Sequence, residues 1–332
     1  MKSMKAGAKS VNDLNDDSVP PPPIPPSSSN KKTGALSSST TTTKITTSPP
    51  TSEPLHNPNS NSKLPPSQTS DTELLEPLEI LYNTSSTLIV NKPGCLISHT
   101  SSWDTTTELP LVQRVRNQIN LRVNLAHRLD RGASGCVLLS SKTEDESHTT
   151  YLRSLIETGR KTYLAWCRGT GEYVRMLSEG EVSEYKGVDG IVYQVEHDDG
   201  WFIVDRPLKN ERGNIKEAET RFRFLKGGKE SFIVECQPRT GRWHQIRKHL
   251  NGLSTPILGD GTHGNTKLNR KWRKKGFREE RIGLHLLKME LDGEERKIEV
   301  CARVHEDLEV MWREHVEGVM EVIEEKYFKK LI

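Results

Sequence analysis

The chain has 332 residues, a formal net charge of +3 and 33% hydrophobic residues. That apolar share is low for one globular unit, and the shortfall is local: no Phe, Tyr or Trp precedes Tyr82, and 12 of the 18 prolines precede Pro77. No apolar run reaches the roughly 18 residues that span a bilayer, which excludes a transmembrane helix, and no apolar stretch follows the N-terminus as a secretory signal requires.

Residues 1–76 are mostly Ser, Thr, Asn, Pro and Lys, with seven basic and seven acidic side chains. Such a segment buries too little apolar surface to offset the entropy of ordering. The sequence therefore predicts a disordered, low-complexity Ser/Thr/Pro-rich leader over 1–76 and one large folded domain over 77–332, which keeps the whole +3. The leader lacks Arg and carries Asp13, Asp16 and Asp17, which argues against an organellar transit peptide. Five scattered cysteines form no C-x-x-C pair. They read as reduced, mostly buried thiols of an intracellular protein of cytoplasm or nucleus, with an organelle left open.

Along the folded part, Leu88-Ile89-Val90 before Asn91-Lys92-Pro93-Gly94 predicts a strand ending in a turn. Residues 107–120 carry Leu109, Val112, Val115 and Ile119 at helical spacing. Val123 to Ala126 and Cys136 to Leu139 are apolar segments flanking a loop that holds Asp130. Thr143-x-x-Glu146 is a capping box opening a helix to about Glu157, and Gly159 stops it. Lys161 to Cys167 predicts a strand carrying Tyr163. Phe222 and Phe224 alternate with Arg221 and Arg223 as a half-buried strand, joined through Gly227-Gly228 to a partner over Ser231 to Cys236. Thr240 is placed as the cap of a helix from about Arg242, with Trp243, Ile246 and Leu250 on one face and Arg247 off it. Glu306 to Phe328 predicts a last helix with Leu308, Met311, Val319 and Ile323 inward. Strands and helices mix without a βαβ rhythm, so the fold class is α+β with a largely antiparallel sheet.

The chemistry concentrates in a few stretches. His127-Arg128-Leu129-Asp130 followed by Arg131-Gly132-Ala133-Ser134-Gly135 holds one carboxylate at a tight loop beside buried strands, where it can act as nucleophile, base or ligand. A second stretch is Thr240-Gly241-Arg242-Trp243-His244-Gln245-Ile246-Arg247-Lys248-His249, a third Gly259-Asp260-Gly261-Thr262-His263-Gly264. A guanidinium such as Arg247 keeps a buried carboxylate ionised. His127, His244 and His249 have metal-ligand side chains, but the five-residue step from His244 to His249 is not that of helical zinc pairs; they read as structural or RNA-contacting, with no metal. Gly259-Asp260-Gly261 lacks G-K-[ST], so it is no phosphate loop and shapes a cleft wall. Lys267 to Arg281 holds eight basic residues against Glu279 and Glu280, a net +6 beside Trp272 and Phe277: phosphate attraction plus stacking faces, as an RNA surface needs.

In order, HRLD-x-x-A-SG, Lys161-Thr162-Tyr163, TGR-x-HQIR-x-H and Gly259-Asp260 resemble the RluA-type pseudouridine synthases. Asn91-Lys92-Pro93-Gly94, Asp205-Arg206-Pro207-Leu208 and the Gly259–Gly264 run followed by Asn269-Arg270 are similar to its TruC-like, tRNA-modifying branch. The resemblance covers about Ile80 to Met289. It implies a mixed central sheet with an active-site cleft across it, over a catalytic domain of residues 77–332, and a cofactor-free isomerisation of uridine in RNA. It makes Asp130 the nucleophile, Arg247 its partner and Tyr163 the group stacked on uracil. Arg128 fills the gap left by the flipped base, and Arg242, His244, Gln245, Lys271, Arg273 and Lys274 bind RNA. The expected partner is tRNA, near the T-stem, ahead of ribosomal RNA; no membrane, cofactor, metal or obligate protein partner is implied, and a monomer is expected. One departure stands out: Ala133 occupies a position where the family usually has Thr or Ser. Two rivals remain, an RNA-binding protein on the same fold with catalysis lost, and a metal-dependent hydrolase using Asp130 and Asp260.

Overall fold

A computed structural model describes residues 76–100, 108–210, 212–294 and 296–329. Apart from Glu76, the expected leader lies outside the described residues. The domain opens with β1 (Glu79–Asn83) and β2 (Thr87–Lys92), which pair antiparallel. Every residue of β2 is buried, as a strand covered on both faces requires. Helix α1 spans Leu111–Ile119 and begins only after Pro110. Leu109, expected on its apolar face, precedes it and is exposed. The proline ring favours extended backbone before it and so delays the helix start.

Short β3 (Asn124–Leu125) and fully buried β4 (Ser134–Ser140) bracket the Asp130 loop. Helix α2 (Glu146–Thr158) starts two residues later than a Thr143 capping box would place it. Its cap is Asp145, whose carboxylate accepts from the amides of Ser147 and His148; the box is corrected accordingly. Gly159 closes this helix, and β5 (Arg160–Arg168) follows. Next come α3 (Glu172–Ser178) and the hairpin β6 (Glu184–Lys186) and β7 (Val192–Gln194). Then β8 (Glu196–Asp198) leads to β9 (Trp201–Asp205), and β10 (Leu208–Lys209) pairs β11 (Ile215–Lys216). The predicted hairpin of Phe222 and Phe224 is β12 (Glu219–Gly227) with β13 (Ser231–Pro238).

Helix α4 (Gln245–Gly252) begins three residues later than expected. Thr240 does not cap it. Its hydroxyl accepts from the Glu219 amide and donates to the Gln245 side chain. The residue preceding the helix is His244, in the left-handed region at φ 54°. Trp243 is therefore outside the helix and 43% exposed, not on its buried face. Helix α5 (Thr266–Lys274), β14 (Leu284–Asp292) and β15 (Lys297–Cys301) follow. The predicted last helix is broken into α6 (Glu306–His315), α7 (Val319–Ile323) and a π-helical turn over Glu324–Phe328. Gly318 at φ 73° makes the break, yet Leu308, Met311, Val319 and Ile323 all face inward.

Among the described residues the main sheet runs β1-β2-β4-β14-β5-β13-β12-β9-β8, with β15 beside β14 and β3 beside β4. Only the β4–β14 pair is parallel. Apolar side chains fill both faces. Along β5, Leu164 and Trp166 join one cluster with α5, α6 and α7, while Ala165 and Cys167 join the other, the two-residue alternation of a strand. Cys95, Cys136, Cys167 and Cys236 are buried free thiols, and Cys301 is half-buried. No helix among the described residues is long and apolar enough to cross a membrane.

Two buried histidines act as neutral locks, His285 between strands and His249 between α4 and the sheet. His285 Nε2 donates to the Ala302 carbonyl (3.1 Å), so Nδ1 accepts the Ser134 hydroxyl at 2.8 Å. His249 Nε2 donates to the Arg206 carbonyl (3.0 Å), and its Nδ1 accepts the Thr220 hydroxyl (2.9 Å). Burial lowers their pKa values to about 3 and about 4. Below the ordinary histidine pKa, near 6.5, the unfolded chain binds protons that the folded chain refuses. Stability is then full above about pH 6.5 and falls as pH drops through about 4. Denaturant unfolding at pH 7 and pH 5 should show a loss on the order of a few kcal/mol, reduced in His249→Gln.

Candidate active site

The loop between β3 and β4 is held at many points. The Ala126 amide bonds the Leu138 carbonyl, and the Leu138 amide donates back to His127 Nε2 at 3.1 Å. Burial lowers the His127 pKa to about 4, so the ring stays a neutral acceptor. The Ala133 amide closes a turn onto the Asp130 carbonyl at 3.1 Å. That bond needs no hydroxyl at position 133, where Ala133 is buried. A Cβ on Gly132 would stand 2.3 Å from the Glu280 carbonyl oxygen, so only glycine fits this approach.

Two buried cations sit under the loop. Arg281 is fully buried; Nη1 donates to the Gly132 and Ile282 carbonyls (2.6 and 2.7 Å), Nη2 to the Ser134 hydroxyl (2.8 Å) and Nε to Asp307 (2.7 Å). Lys92, also fully buried, donates to the carbonyls of Pro93, Leu96 and Arg131 at 2.9, 2.7 and 3.2 Å. Burial, then repulsion from Arg281, lowers its pKa to about 7. Three carbonyl acceptors are what a buried ammonium needs. The sequence placed Arg281 within the basic surface run; the structure corrects this, because Arg281 supports the loop from inside.

Helix α4 brings Arg247 to the loop. This guanidinium, 5% exposed, donates Nη1 to Asp130 Oδ2 at 2.7 Å and forks Nε and Nη2 onto Asp260 Oδ2 and Oδ1, both at 2.7 Å. Asp260 is 1% exposed and also accepts the amides of Thr262 and His263 at 2.9 Å. Burial opposes the charge of Arg247, but the bonds and charges of Asp260 and Asp130 outweigh it and raise its pKa. Burial likewise opposes the Asp260 charge, and the Arg247 bonds and backbone amides overcome it, so its pKa falls. The Asp260 turn is pinned in its turn by buried Asn269 of α5, through the Asp260 carbonyl (2.8 Å) and the Gly259 amide (3.0 Å).

Asp130 itself is one-third exposed. Its Oδ2 is held by Arg247, whereas among the described residues Oδ1 has His244 Nε2 at 3.6 Å, beyond hydrogen-bond range. His244 Nδ1 lies 2.9 Å from His263 Nε2. Burial, opposed by the charge of Asp130, lowers the His244 pKa. Tyr163, half-buried on β5, belongs to the same neighbourhood: burial first and then the Asp130 charge raise its pKa.

The other predicted residues divide. Arg128 is exposed next to the loop. Arg242 is exposed and donates Nε to the Glu217 carbonyl. Gln245 is buried, and its amide bonds Thr240, the Arg242 amide, the Glu219 carbonyl and Thr220; it fastens the bend into α4 to β12 and presents no polar group outward. On α5 and beyond it, Lys271 pairs with Glu230 and Arg273 with Glu279, while Lys274 is exposed. Trp272 and Phe277, expected as stacking faces, are core residues packed edge-on against Trp166. Sequence reasoning missed the ion-pair role of Asp260, although its Gly-Asp motif was the available signal, and gave no hint of Lys92 as a loop support.

The site thus places a carboxylate held on one oxygen beside a half-buried tyrosine and an exposed arginine. The chain belongs to the RNA pseudouridylate synthase family, enzymes that isomerise uridine in RNA, whose model matches residues 86–252. Asp130, Tyr163 and Arg247 lie within that span; Asp260 and Arg281 lie beyond it. The tRNA pseudouridine synthase C of Vibrio cholerae is 34% identical over 214 residues, covering 63% of this chain and 82% of the relative. That of Salmonella typhimurium is 33% identical over 227 residues, covering 64% and 80%. The solved structure of Human RNA Pseudouridylate Synthase Domain Containing 1 shares the fold, with a TM-score of 0.50 at 20% identity, over 76% of this chain and 92% of that one.

Removing one partner of a buried ion pair strands the other charge. Asp260→Ala should lower stability by about 3–5 kcal/mol, read by urea unfolding. Arg247→Lys keeps the charge but loses the fork. It should stay folded by circular dichroism while turnover drops by roughly a hundredfold or more.

Proposed function

We propose that this chain converts a uridine of tRNA to pseudouridine, with Asp130 as nucleophile and Arg247 as its partner. The observation that carries the reading is the asymmetry of the Asp130 carboxylate: Oδ2 is bound to Arg247 at 2.7 Å, and Oδ1 has no hydrogen bond among the described residues. The Arg247 guanidinium holds one carboxylate oxygen in place and leaves the other available for chemistry. The tRNA specificity rests on the named activity of the relatives.

Asp130 opens the N1–C1′ bond of the flipped uridine, by adding to C1′ or by drawing a proton from C2′. The detached uracil turns and C5 joins C1′ as the Asp130–C1′ bond breaks on the first route, or as the C2′ proton returns from Asp130 on the second; the C5 proton leaves to solvent, and N1 ends with a proton. Atoms balance without oxidant, reductant or cofactor. Tyr163 lies against the uracil, Arg128 replaces it in the RNA stack, and the exposed cations Arg242, Lys271, Arg273 and Lys274 attract phosphates. The enzyme works as a monomer. Residues 1–76 are a leader dispensable for chemistry, and 77–332 are the catalytic domain.

Bulk unmodified tRNA carrying tritium at uridine C5 tests the reading. Wild type should release tritium equally with and without chelator, and Asp130→Ala should lose activity on the order of 10³-fold or more. No release from tRNA but release from ribosomal RNA would reassign the substrate; release by Asp130→Ala would remove it as nucleophile. A chain lacking residues 1–70 should keep the wild-type rate and melting temperature, and loss of either would refute the dispensable leader.

A further inference from the structure

Large aromatic side chains leave water whenever the fold allows, since each buries considerable apolar area. Among the described residues, Trp166, Trp201, Trp272 and Trp312 are all 6% exposed or less, whereas Trp243 is 43% exposed. Its exposure is not that of a loose surface residue. The indole stacks on His244 with ring centroids 3.9 Å apart and planes at 23°. His244 in turn reaches toward Asp130, Nε2 to Oδ1 at 3.6 Å, and meets His263 edge-on at 5.1 Å. The Lys248 ammonium lies over the indole ring, 4.3 Å from its centroid, and donates to the Lys209 carbonyl at 2.8 Å. Trp243 is thus an aromatic surface one ring removed from the reacting carboxylate, with a cation over it and exposed Arg242 next in sequence.

We propose that Trp243 is the stacking seat for the nucleotide adjoining the reacting uridine, the incoming base taking the place over the indole that the Lys248 ammonium holds in the free protein. The inference rests on the RNA substrate argued above and adds the residue that sets the strand's position. A uridine turned out of its stack leaves neighbouring bases exposed, and an aromatic ring is the face on which such a base stacks. The reacting base itself is not the occupant, because the His244 ring stands between Trp243 and Asp130. The left-handed backbone at His244 swings position 243 off the helix face and toward solvent, so the seat is set by the backbone.

The test uses the full chain, single-turnover tritium release from the same unmodified tRNA, and the variants Trp243→Phe and Trp243→Leu. The leucine variant should raise the half-saturating concentration roughly ten- to hundredfold, with the maximal rate within about twofold and the melting temperature unchanged; the phenylalanine variant should bind nearly as wild type. Adding tRNA should quench tryptophan emission in wild type and much less in Trp243→Phe. A leucine variant with unchanged half-saturation, or one whose loss falls on the maximal rate alone, would overturn the assignment. If wild type releases no tritium from tRNA while the Trp243-dependent quenching persists, the tRNA reading fails and the stacking seat stands.

Discussion

Arg247 is the interaction on which the rest of the site depends. One buried guanidinium, carried by an eight-residue helix, satisfies two carboxylates from loops far apart in the chain. Asp260 takes both parallel bonds and two backbone amides, and is consumed by the task. Asp130 takes a single bond on one oxygen, which leaves the other oxygen chemically available. A cation with one donor geometry therefore divides two chemically equal acids into a saturated anchor and a half-bonded, partly exposed group. The division is made by burial and by the number of donors facing each.

The loop that carries Asp130 is stabilised by the same logic at a second level. Irregular backbone near a core needs partners for its carbonyls. Arg281 and Lys92 supply them from inside, spanning Gly132, Arg131, Pro93 and Leu96. Ser134 and His285 connect this support to the only parallel strand pair among the described residues. The loop is rigid because cations fill positions that an apolar core would leave unsatisfied. Alanine at position 133 is tolerated for the same reason: the turn is closed by a backbone amide, and Ser134 already carries the hydroxyl bonds.

Much of this was legible from residue order alone. The paired strands at Phe222 and Ser231, the strand of Tyr163 and the antiparallel bias follow from alternation and turn residues. The Asp130–Arg247 partnership followed from the family resemblance together with the need of a buried carboxylate for a cation. Errors cluster where local chemistry has near-equal competitors. Thr143 and Asp145 both suit a helix cap, and the structure uses the aspartate. Thr240 looks like a cap, but the Gln245 side chain takes its hydroxyl and delays the helix to the next residue after a left-handed histidine. Trp243 fits a helical stripe only if that delay is ignored.

The sequence by itself determined the class of fold, the disposition of the main strands and the motif loop that carries Asp130, because these depend on local periodicity and on motifs contiguous in the chain. Only the tertiary structure decided which of the basic residues is exposed and which is buried. Arg281 and Arg273 look alike in a charged run, yet one is a core support and the other a surface ion pair. It also decided that Asp260 and Asp130 share one arginine, and that Trp243 faces water. These outcomes depend on distances between residues far apart in the chain, and charge and aromaticity read along a sequence carry no record of what packs across from them.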